Sequence, residues 1–357
     1  MLIEPLERRL FLAYFDGTTA NLSDYSASRG GEIVNGSATV LWRRLQTLNT
    51  PHLRVFHTLH DLSGTGNDFG SAEVGYLKYL SKKGIKITVM ITPFERNGDP
   101  RSIPASSITY AATSQYFLGL FSKYPAIGRY VDRWQIGNEI NLGKYFPNAA
   151  TSDINHVADT PIESDFIRFT VPKFVLDFQK PAWDVLKAKG ETVVGGSVLT
   201  SGFSGKRNVF NALETTPVHY INLAGHTVTA HYSNFCDIVS VQLFAPSARL
   251  DISDLKHVFA SIKSVEPAGK PVSVTEWAIQ DPHRDSASDP TIIADQNRIQ
   301  AFMKANCDSA YFYRIRRRTT DVWHNQALFA SDFASPNGPQ GNDFVSMFLK
   351  WRAGDPA

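Results

Sequence analysis

Cysteine is scarce in this chain of 357 residues, which contains only Cys236 and Cys307. A fold held together by a disulfide framework is therefore excluded, although nothing in the spacing of these two residues decides whether they are bridged. The chain also lacks any run approaching the ~18 apolar residues of a membrane-spanning helix. Charge of neither sign dominates: the net charge of +2 gives no indication of a nucleic-acid or membrane-surface partner.

Several catalytic motifs are missing as well. The sequence contains no zinc-binding pattern, no nucleophile elbow and no phosphate-binding loop. These absences argue against a metalloprotease, a serine hydrolase or a kinase-like enzyme, and we expect no metal or cofactor. No linker, repeat or low-complexity run marks off a second domain. With 43% hydrophobic residues the chain can bury one large core, and we predict a single domain over residues 10–357.

Strand-like and helix-like segments alternate along the chain. Apolar segments with helical spacing lie between the strands, among them Val40–Leu48, Ala72–Lys83, Tyr110–Lys123, Lys173–Lys189 and Leu255–Val265. Eight βα units of one handedness predict a closed (β/α)8 TIM barrel. An open doubly wound sheet is the alternative, but it usually shows a glycine-rich phosphate turn that is absent here. The eight predicted strands are Leu10–Phe15, Leu53–Thr58, Ile85–Ile91, Tyr130–Ile136, Thr192–Val198, Asp237–Phe244, Pro271–Trp277 and Ser309–Ile315.

Two glutamates stand where predicted strands end. Glu139 follows strand four in the run Trp134–Asn141, and Glu276 ends strand seven in the run Pro271–Trp277. The carboxyl ends of barrel strands meet at one mouth, so these distant residues are expected to face one cleft. Cleavage of a glycosidic bond needs such a carboxylate pair, one acid and one nucleophile or base. The alternative is a pair of salt-bridge partners in a non-catalytic barrel.

The Asn-Glu pair that ends strand four, together with a Glu that ends strand seven, resembles the pattern of glycoside hydrolase clan A. Members of that clan are (β/α)8 retaining glycosidases. The resemblance implies that Glu139 is the acid/base, that Asn138 hydrogen-bonds the sugar 2-hydroxyl, and that Glu276 is the nucleophile. The run 135–143 further resembles the endo-β-1,4-galactanases, whose strand-three signature is absent here. The resemblance therefore does not extend to that substrate.

Candidate substrate-binding residues accompany the pair. Arg54 lies on strand two, where clan members carry an arginine near the nucleophile, and a buried arginine would keep Glu276 ionised. His57 is close to the end of the same strand. Strand six departs from the clan pattern: many members place His and Tyr at its end, whereas this chain has Gln242 and Phe244. Because Phe cannot hydrogen-bond, Gln242 is the candidate donor on this strand.

Aromatic and basic residues near strands seven and eight complete the predicted site. Trp277, Tyr313 and Trp323 are candidates for stacking on a sugar ring, and Trp277 could equally be a core residue. Four arginines, Arg314 and 316–318, follow strand eight. A solvated basic loop is the simpler interpretation of these arginines. The functional one is recognition of an acidic sugar, with Arg314 or Arg316 pointing inward.

The N-terminal residues 1–9 are treated as a separate segment. Residues 6–12 resemble the short "LEPR" element on exported proteins of some environmental bacteria, although Arg8 stands where that element has proline. The resemblance implies a secreted or cell-surface protein, and an ordinary amphipathic start to the barrel is the alternative. We expect the partner to be a poly- or oligosaccharide. The competing functions are a catalytically silent glycan-binding or cell-surface barrel and a transglycosylase with the same site.

Overall fold

The structure is a computed structural model. Among the residues that it describes, no helix has the length and apolar character needed to cross a bilayer. The two cysteines in this part of the chain are both free thiols, and burial raises the pKa of each well above its usual range. The described residues are 15–21, 42–43, 45–46, 52–59, 62, 70–93, 103–141, 165–199, 209–246, 252–266, 269–280 and 290–312.

In the described part of the chain, eight parallel strands form the central sheet. Strand five is interrupted and consists of two short pieces, because Gly195, Gly196 and Ser197 separate them. Each of the other strands is a single piece. In chain order the strands are Phe15–Asn21, His52–Leu59, Lys86–Pro93, Arg133–Ile136, Val193–Val194 with Val198–Leu199, Val239–Pro246, Val272–Gln280 and Ser309–Phe312.

Strand five closes the sheet into a barrel. Its first piece pairs with strand four, and its second piece pairs with strand six. An additional parallel bridge joins Val194 to Ile238 at the start of strand six. Strand one pairs with both strand two and strand eight, so every strand has two neighbours. This ring confirms the predicted (β/α)8 barrel, since an open sheet would leave two edges.

Helices cover the outside of the ring. The predicted helix Tyr110–Lys123 is confirmed to the residue, and its N-cap Thr109 accepts a hydrogen bond from Ala112 N at 3.1 Å. The helical segment after strand four is longer than expected: it spans 166–188 and contains two π-helical turns, Phe166–Thr170 and Val175–Gln179. Further α-helices in the described residues are Ser71–Lys82, Val209–Thr215, Ile252–Val265 and Pro290–Asn306.

Several other features differ from the expectation, and strand seven continues past its predicted end at Trp277 to Gln280. Strand one extends to Asn21, beyond its predicted end at Phe15, and residues 10–14 lie outside the described part of the chain, as do residues 1–9. The helices Val209–Thr215 and Pro290–Asn306 were not predicted. Neither was an antiparallel hairpin of Val218–Ile221 with Thr227–Ala230, which lies between strands five and six. A long interval between strands is compatible with either irregular loops or added elements, so spacing alone does not reveal them.

The apolar core lies between the strands and the helices. Leu53, Val55 and Trp134 belong to it, and Trp134 packs against Phe121 of helix Tyr110–Lys123 with ring centroids 5.8 Å apart. Side chains on the opposite faces of the strands point into the barrel. These interior side chains are largely polar among the described residues, and they determine the chemistry of the site.

Candidate active site

Glu139 lies in a tight turn directly after strand four. Gly137 has φ +94° and Glu139 has φ +43°, so both occupy the left-handed region. Neighbouring strands hold this turn: Gly137 N donates to Ile91 O of strand three at 2.7 Å, and Ile140 N donates to Ser197 O at 3.0 Å. The left-handed conformation is unfavourable for a residue with a side chain, and such backbone strain concentrates at functional sites.

Phe174 supports this turn from the outside of the barrel. A Cβ added to Gly137 would lie 2.7 Å from Phe174 Cε2, and one added to Gly196 would lie 2.3 Å from Phe174 Cζ. The ring therefore fills the space left by two glycines, one after strand four and one in the gap of strand five. This packing brings the backbone of Ser197 against the turn that carries Glu139.

A β-bulge in strand seven determines where Glu276 points. Val274 lies opposite Val241 of strand six, whereas Glu276 lies opposite the next residue, Gln242. Thr275 is the extra residue. Ser273 faces the interior, where its Oγ lies 2.7 Å from Ser309 Oγ. Regular alternation would turn residue 276 outward, and the bulge returns it to the interior, as bulges near active sites do.

Arg54 connects strands two, four and seven inside the barrel. Its Nη1 donates to Glu276 Oε1 at 2.6 Å, its Nη2 to Asn138 Oδ1 at 2.8 Å, and its Nε to Gln135 Oε1 at 2.6 Å. Arg54 is fully buried and Glu276 is 3% exposed. A buried charge is tolerated only when it is paired and hydrogen-bonded, and this guanidinium has an acceptor on each of its three nitrogens.

The side-chain oxygen of Asn138 is the second centre of the cluster. Besides Arg54, Gln242 Nε2 donates to Asn138 Oδ1 at 2.7 Å and Ser197 Oγ donates to it at 3.4 Å. The Ser197 hydroxyl also accepts from the backbone N–H of Glu139 at 3.4 Å. The structure thus brings together Arg54, Asn138, Gln242 and Glu276, four of the residues singled out in the sequence, next to Glu139.

Sequence reasoning missed three members of this cluster. Gln135 orients Arg54 and donates through Nε2 to Gly137 O at 2.9 Å. Ser197 contacts strands four and six, and Thr92 Oγ1 accepts from Asn138 N at 3.3 Å. A signal existed for Gln135, because it is a polar residue between the apolar residues Trp134 and Ile136 of strand four. Ser197 and Thr92 are ordinary in local sequence and acquire significance only from their neighbours in space.

Two predicted binding residues lie away from the cluster. His57 lies between helices Ser71–Lys82 and Tyr110–Lys123, with Nδ1 3.7 Å from Glu73 Oε1 and Nε2 3.5 Å from Tyr116 OH. Trp277 is 1% exposed and belongs to the apolar core. Side chains alternate along a strand, so His57 faces away from Arg54, and Trp277 faces away from Glu276. Neither is positioned beside the carboxylate.

Other predicted residues fall outside the described part of the chain. The arginine cluster after strand eight therefore stays a prediction, together with the aromatic platform on that strand. The residues concerned are Tyr313, Arg314, Arg316, Arg317, Arg318 and Trp323.

The polar interior continues below the cluster. Tyr311 OH lies 2.8 Å from Thr88 Oγ1, and burial raises the pKa of Tyr311, so its hydroxyl stays protonated. At the opposite end, Arg133 Nη1 lies 2.5 Å from Asp308 Oδ2. Within the described ranges, no group of three or more histidine, cysteine or carboxylate side chains could hold a metal ion.

The cluster can separate the roles of two carboxyl groups. Arg54 is a permanent cation, and its contact favours the ionised form of the buried Glu276 side chain. All three hydrogen bonds of Arg54 go to Gln135, Glu276 and Asn138, so none goes to Glu139. Glu139 is partly exposed at the end of its strand. One carboxylate is thus stabilised as an anion, and the other is accessible from solvent.

Comparison with known proteins relates the fold to glycoside hydrolases. No family model and no curated protein matches the sequence. Among solved structures, the chain is similar to a family 5 xyloglucanase from Paenibacillus pabuli, with 12% identity, a TM-score of 0.58, and coverage of 94% of this chain and 99% of that chain. A beta-glucosidase from Exiguobacterium marinum is similar at 11% identity and a TM-score of 0.59, covering 94% and 98% of the two chains.

The catalytic domain of a family 53 glycoside hydrolase from Ignisphaera aggregans matches at 15% identity and a TM-score of 0.54, covering 98% of this chain and 99% of that one. All three are clan A (β/α)8 barrels, so the expected structural resemblance is confirmed. At these identities the likeness establishes the shared fold and carries no conclusion about activity.

Proposed function

We propose that this protein is a retaining glycoside hydrolase of clan A that cleaves a β-linked poly- or oligosaccharide. One observation carries the proposal: a single buried guanidinium, that of Arg54, binds both Glu276 of strand seven and Asn138, the residue that precedes Glu139. A pair of unrelated surface glutamates would not require this connection. The similarity to glycoside hydrolase barrels supports the same conclusion at the level of fold.

The proposed mechanism is a double displacement. In the first step a Glu276 carboxylate oxygen forms a bond to the anomeric carbon, while the carboxyl of Glu139 gives its proton to the departing glycosidic oxygen. In the second step Glu139 accepts a proton from water, which attacks the anomeric carbon and releases Glu276. Asn138 would donate to the sugar 2-hydroxyl. The ion pair of Glu276 with Arg54 favours the anion that must attack and so supports the proposed role of Glu276 as nucleophile.

The test begins with turnover of β-linked aryl glycosides and of plant and algal polysaccharides. A 2-deoxy-2-fluoro glycoside of the best substrate should accumulate as an adduct on the peptide containing Glu276, detected by mass spectrometry. Glu276→Gln should abolish turnover. Glu139→Ala should spare aryl glycosides with good leaving groups, because these need no proton, and azide should accelerate that variant.

Glu191→Gln is the matched control. Glu191 is a partly buried glutamate just before strand five, and its carboxylate accepts a hydrogen bond from Trp134 Nε1 at 3.1 Å. Its replacement should leave kcat/KM unchanged. Equal losses for the Glu139 and Glu276 variants on every substrate would contradict the assigned roles. Binding of glycans without turnover would instead support a silent binding barrel, and products longer than the substrate would identify a transglycosylase.

A further inference from the structure

We propose that Gln242 is a positioning residue: together with Arg54 it fixes the plane of the Asn138 side-chain amide, so that the NH₂ group of Asn138 is presented to the cleft as a donor. This inference rests on the proposed function. It concerns strand six, where the chain departs from the clan pattern, and it gives a role to the residue that replaces the expected histidine.

An amide oxygen has two lone pairs that can accept hydrogen bonds. Asn138 Oδ1 accepts from Arg54 Nη2 at 2.8 Å and from Gln242 Nε2 at 2.7 Å. Donors prefer to lie near the plane of the carbonyl group, so two short contacts define that plane. Because Arg54 has only donors, its contact alone requires that the Asn138 oxygen, and not the nitrogen, points toward it. The second donor, Gln242 Nε2, prevents the Asn138 amide from rotating about its contact with Arg54.

Gln242 is itself held in the orientation that this role requires. Its NH₂ group also donates to Ser197 Oγ at 3.4 Å, and Ser197 Oγ in turn donates to Asn138 Oδ1 at 3.4 Å. Gln242 is fully buried and Asn138 is 1% exposed, so water does not readily replace a missing donor. The bulge in strand seven aligns Gln242 with Glu276, which brings both residues to the level of Arg54.

The opposite end of the Asn138 amide, its NH₂ group, is not used by the part of the chain that the structure describes. Among the described residues, none accepts a hydrogen bond from Asn138 Nδ2. An amide that is held in one orientation and whose NH₂ donors are available can donate a hydrogen bond to a substrate hydroxyl oxygen. Because hydrogen bonds to Oδ1 polarise the amide, they also strengthen donation from Nδ2. Gln242 therefore acts on the substrate through Asn138 without touching it.

The test pairs substitutions with a change in the substrate. Gln242→Met keeps the length of the side chain and removes the donor. Its kcat/KM should fall roughly tenfold for a substrate with a 2-hydroxyl group, the effect of losing one buried hydrogen bond. The corresponding 2-deoxy substrate should lose less than about twofold, since it has no group for Asn138 to bind. The loss should appear in kcat more than in KM if the contact strengthens in the transition state.

Gln242→Glu provides a second readout. The ionised carboxylate offers Asn138 Oδ1 no donor, whereas the protonated carboxyl has one O–H to give. The ratio of variant to wild-type kcat/KM should therefore rise as the pH falls. A residue that merely filled space would not produce this pH dependence.

Gln300→Met is the matched control, because Gln300 is another buried glutamine, 2% exposed, on helix Pro290–Asn306. Its two side-chain polar atoms have no hydrogen-bond partner among the residues that the structure describes, so replacement should leave the turnover of both substrates unaffected. Equal losses on the hydroxylated and 2-deoxy substrates in Gln242→Met would overturn the inference.

A measurement without turnover separates this inference from the proposed function. In protein labelled with ¹⁵N-asparagine, the NMR signal of the Asn138 side-chain amide can be assigned because it disappears from the spectrum of the Asn138→Asp variant. Rotation of that amide should be at least several-fold faster in Gln242→Met than in wild type or Gln300→Met. Unchanged rotation would refute the positioning role even if the enzyme is active. Inactivity of the wild type on every substrate would refute the proposed function alone.

Discussion

Glu139 adopts a backbone conformation that costs free energy. Its φ of +43° lies in the left-handed region, where a Cβ approaches the following carbonyl oxygen. The turn keeps this geometry because hydrogen bonds from strands three and five hold it on both sides. Glutamate is therefore not the residue that would make this turn most stable. A carboxylate here is compatible with selection for chemistry.

The first prediction at the residue scale compares Glu139→Gly with Glu139→Ala. Both variants remove the carboxylate, but only glycine occupies the left-handed region without a steric penalty. We expect Glu139→Gly to be more stable than Glu139→Ala by about 1 kcal/mol. Urea unfolding measures the difference in the free energy of unfolding. A more stable alanine variant would mean that the turn does not retain its left-handed geometry in solution.

At the scale of single elements, packing of one helix against two strand ends controls the site. Phe174 contacts the turn through the positions of Gly137 and Gly196, neither of which leaves room for a Cβ. The π-helical turns on both sides of 171–174 change the spacing of side chains around this helical segment. Such turns are frequent at functional sites. The helix therefore affects the geometry of Glu139 although it contributes no catalytic side chain.

The second prediction uses two glycines with the same backbone requirement. Gly84 has φ +81° and no atom within 4 Å of an added Cβ, whereas at Gly137 Phe174 lies 2.7 Å away. Gly84→Ala should cost about 1 kcal/mol from the backbone alone and leave activity unchanged. Gly137→Ala should cost about 2 kcal/mol more, because the Cβ overpacks against Phe174, and should lower kcat/KM. Equal unfolding free energies for the two variants would exclude a packing role for Phe174.

For the whole molecule, the two ends of the barrel interior have different tasks. Arg54 and Glu276 form the ion pair of the candidate site, while Arg133 and Asp308 form another at the opposite end. Both pairs are buried, so removing one partner from either leaves an uncompensated charge. We expect the Arg133–Asp308 pair to matter for the stability of the fold. Only the Arg54–Glu276 pair is expected to affect the chemistry.

The third prediction separates these tasks. Asp308→Ala should lower the free energy of unfolding by about 3 kcal/mol, because Arg133 loses its partner. The double variant Arg133→Met, Asp308→Leu should recover most of this loss, since apolar side chains of similar size need no partner. Both variants should retain wild-type kcat/KM per folded molecule, with Arg54→Met as the inactive comparison. Loss of activity in the stable double variant would show that the far pair also shapes the site.

Much of this architecture followed from local sequence. Eight apolar runs with helical segments between them predicted the barrel, because strand and helix periodicity are short-range properties. The position of Glu139 just after strand four and that of Arg54 within strand two were readable for the same reason, whereas strand seven does not end at Glu276 but continues to Gln280. His57 and Trp277 were misleading, since proximity to a site along the chain does not determine which face of a strand a side chain occupies.

Tertiary structure alone decided the rest. The bulge at Thr275 turns Glu276 inward, and its presence depends on the register between strands six, seven and eight. Ser197 lies in the interruption of strand five, whose second piece pairs with strand six and closes the ring. In this position Ser197 contacts Gln135 of strand four, and both residues become part of the cluster. Such features arise from long-range pairing, which must satisfy every neighbour of a closed barrel at once. The sequence by itself determined which residues are candidates for the chemistry, and the closed barrel decided which of them meet, because register and side-chain direction are properties of the whole ring.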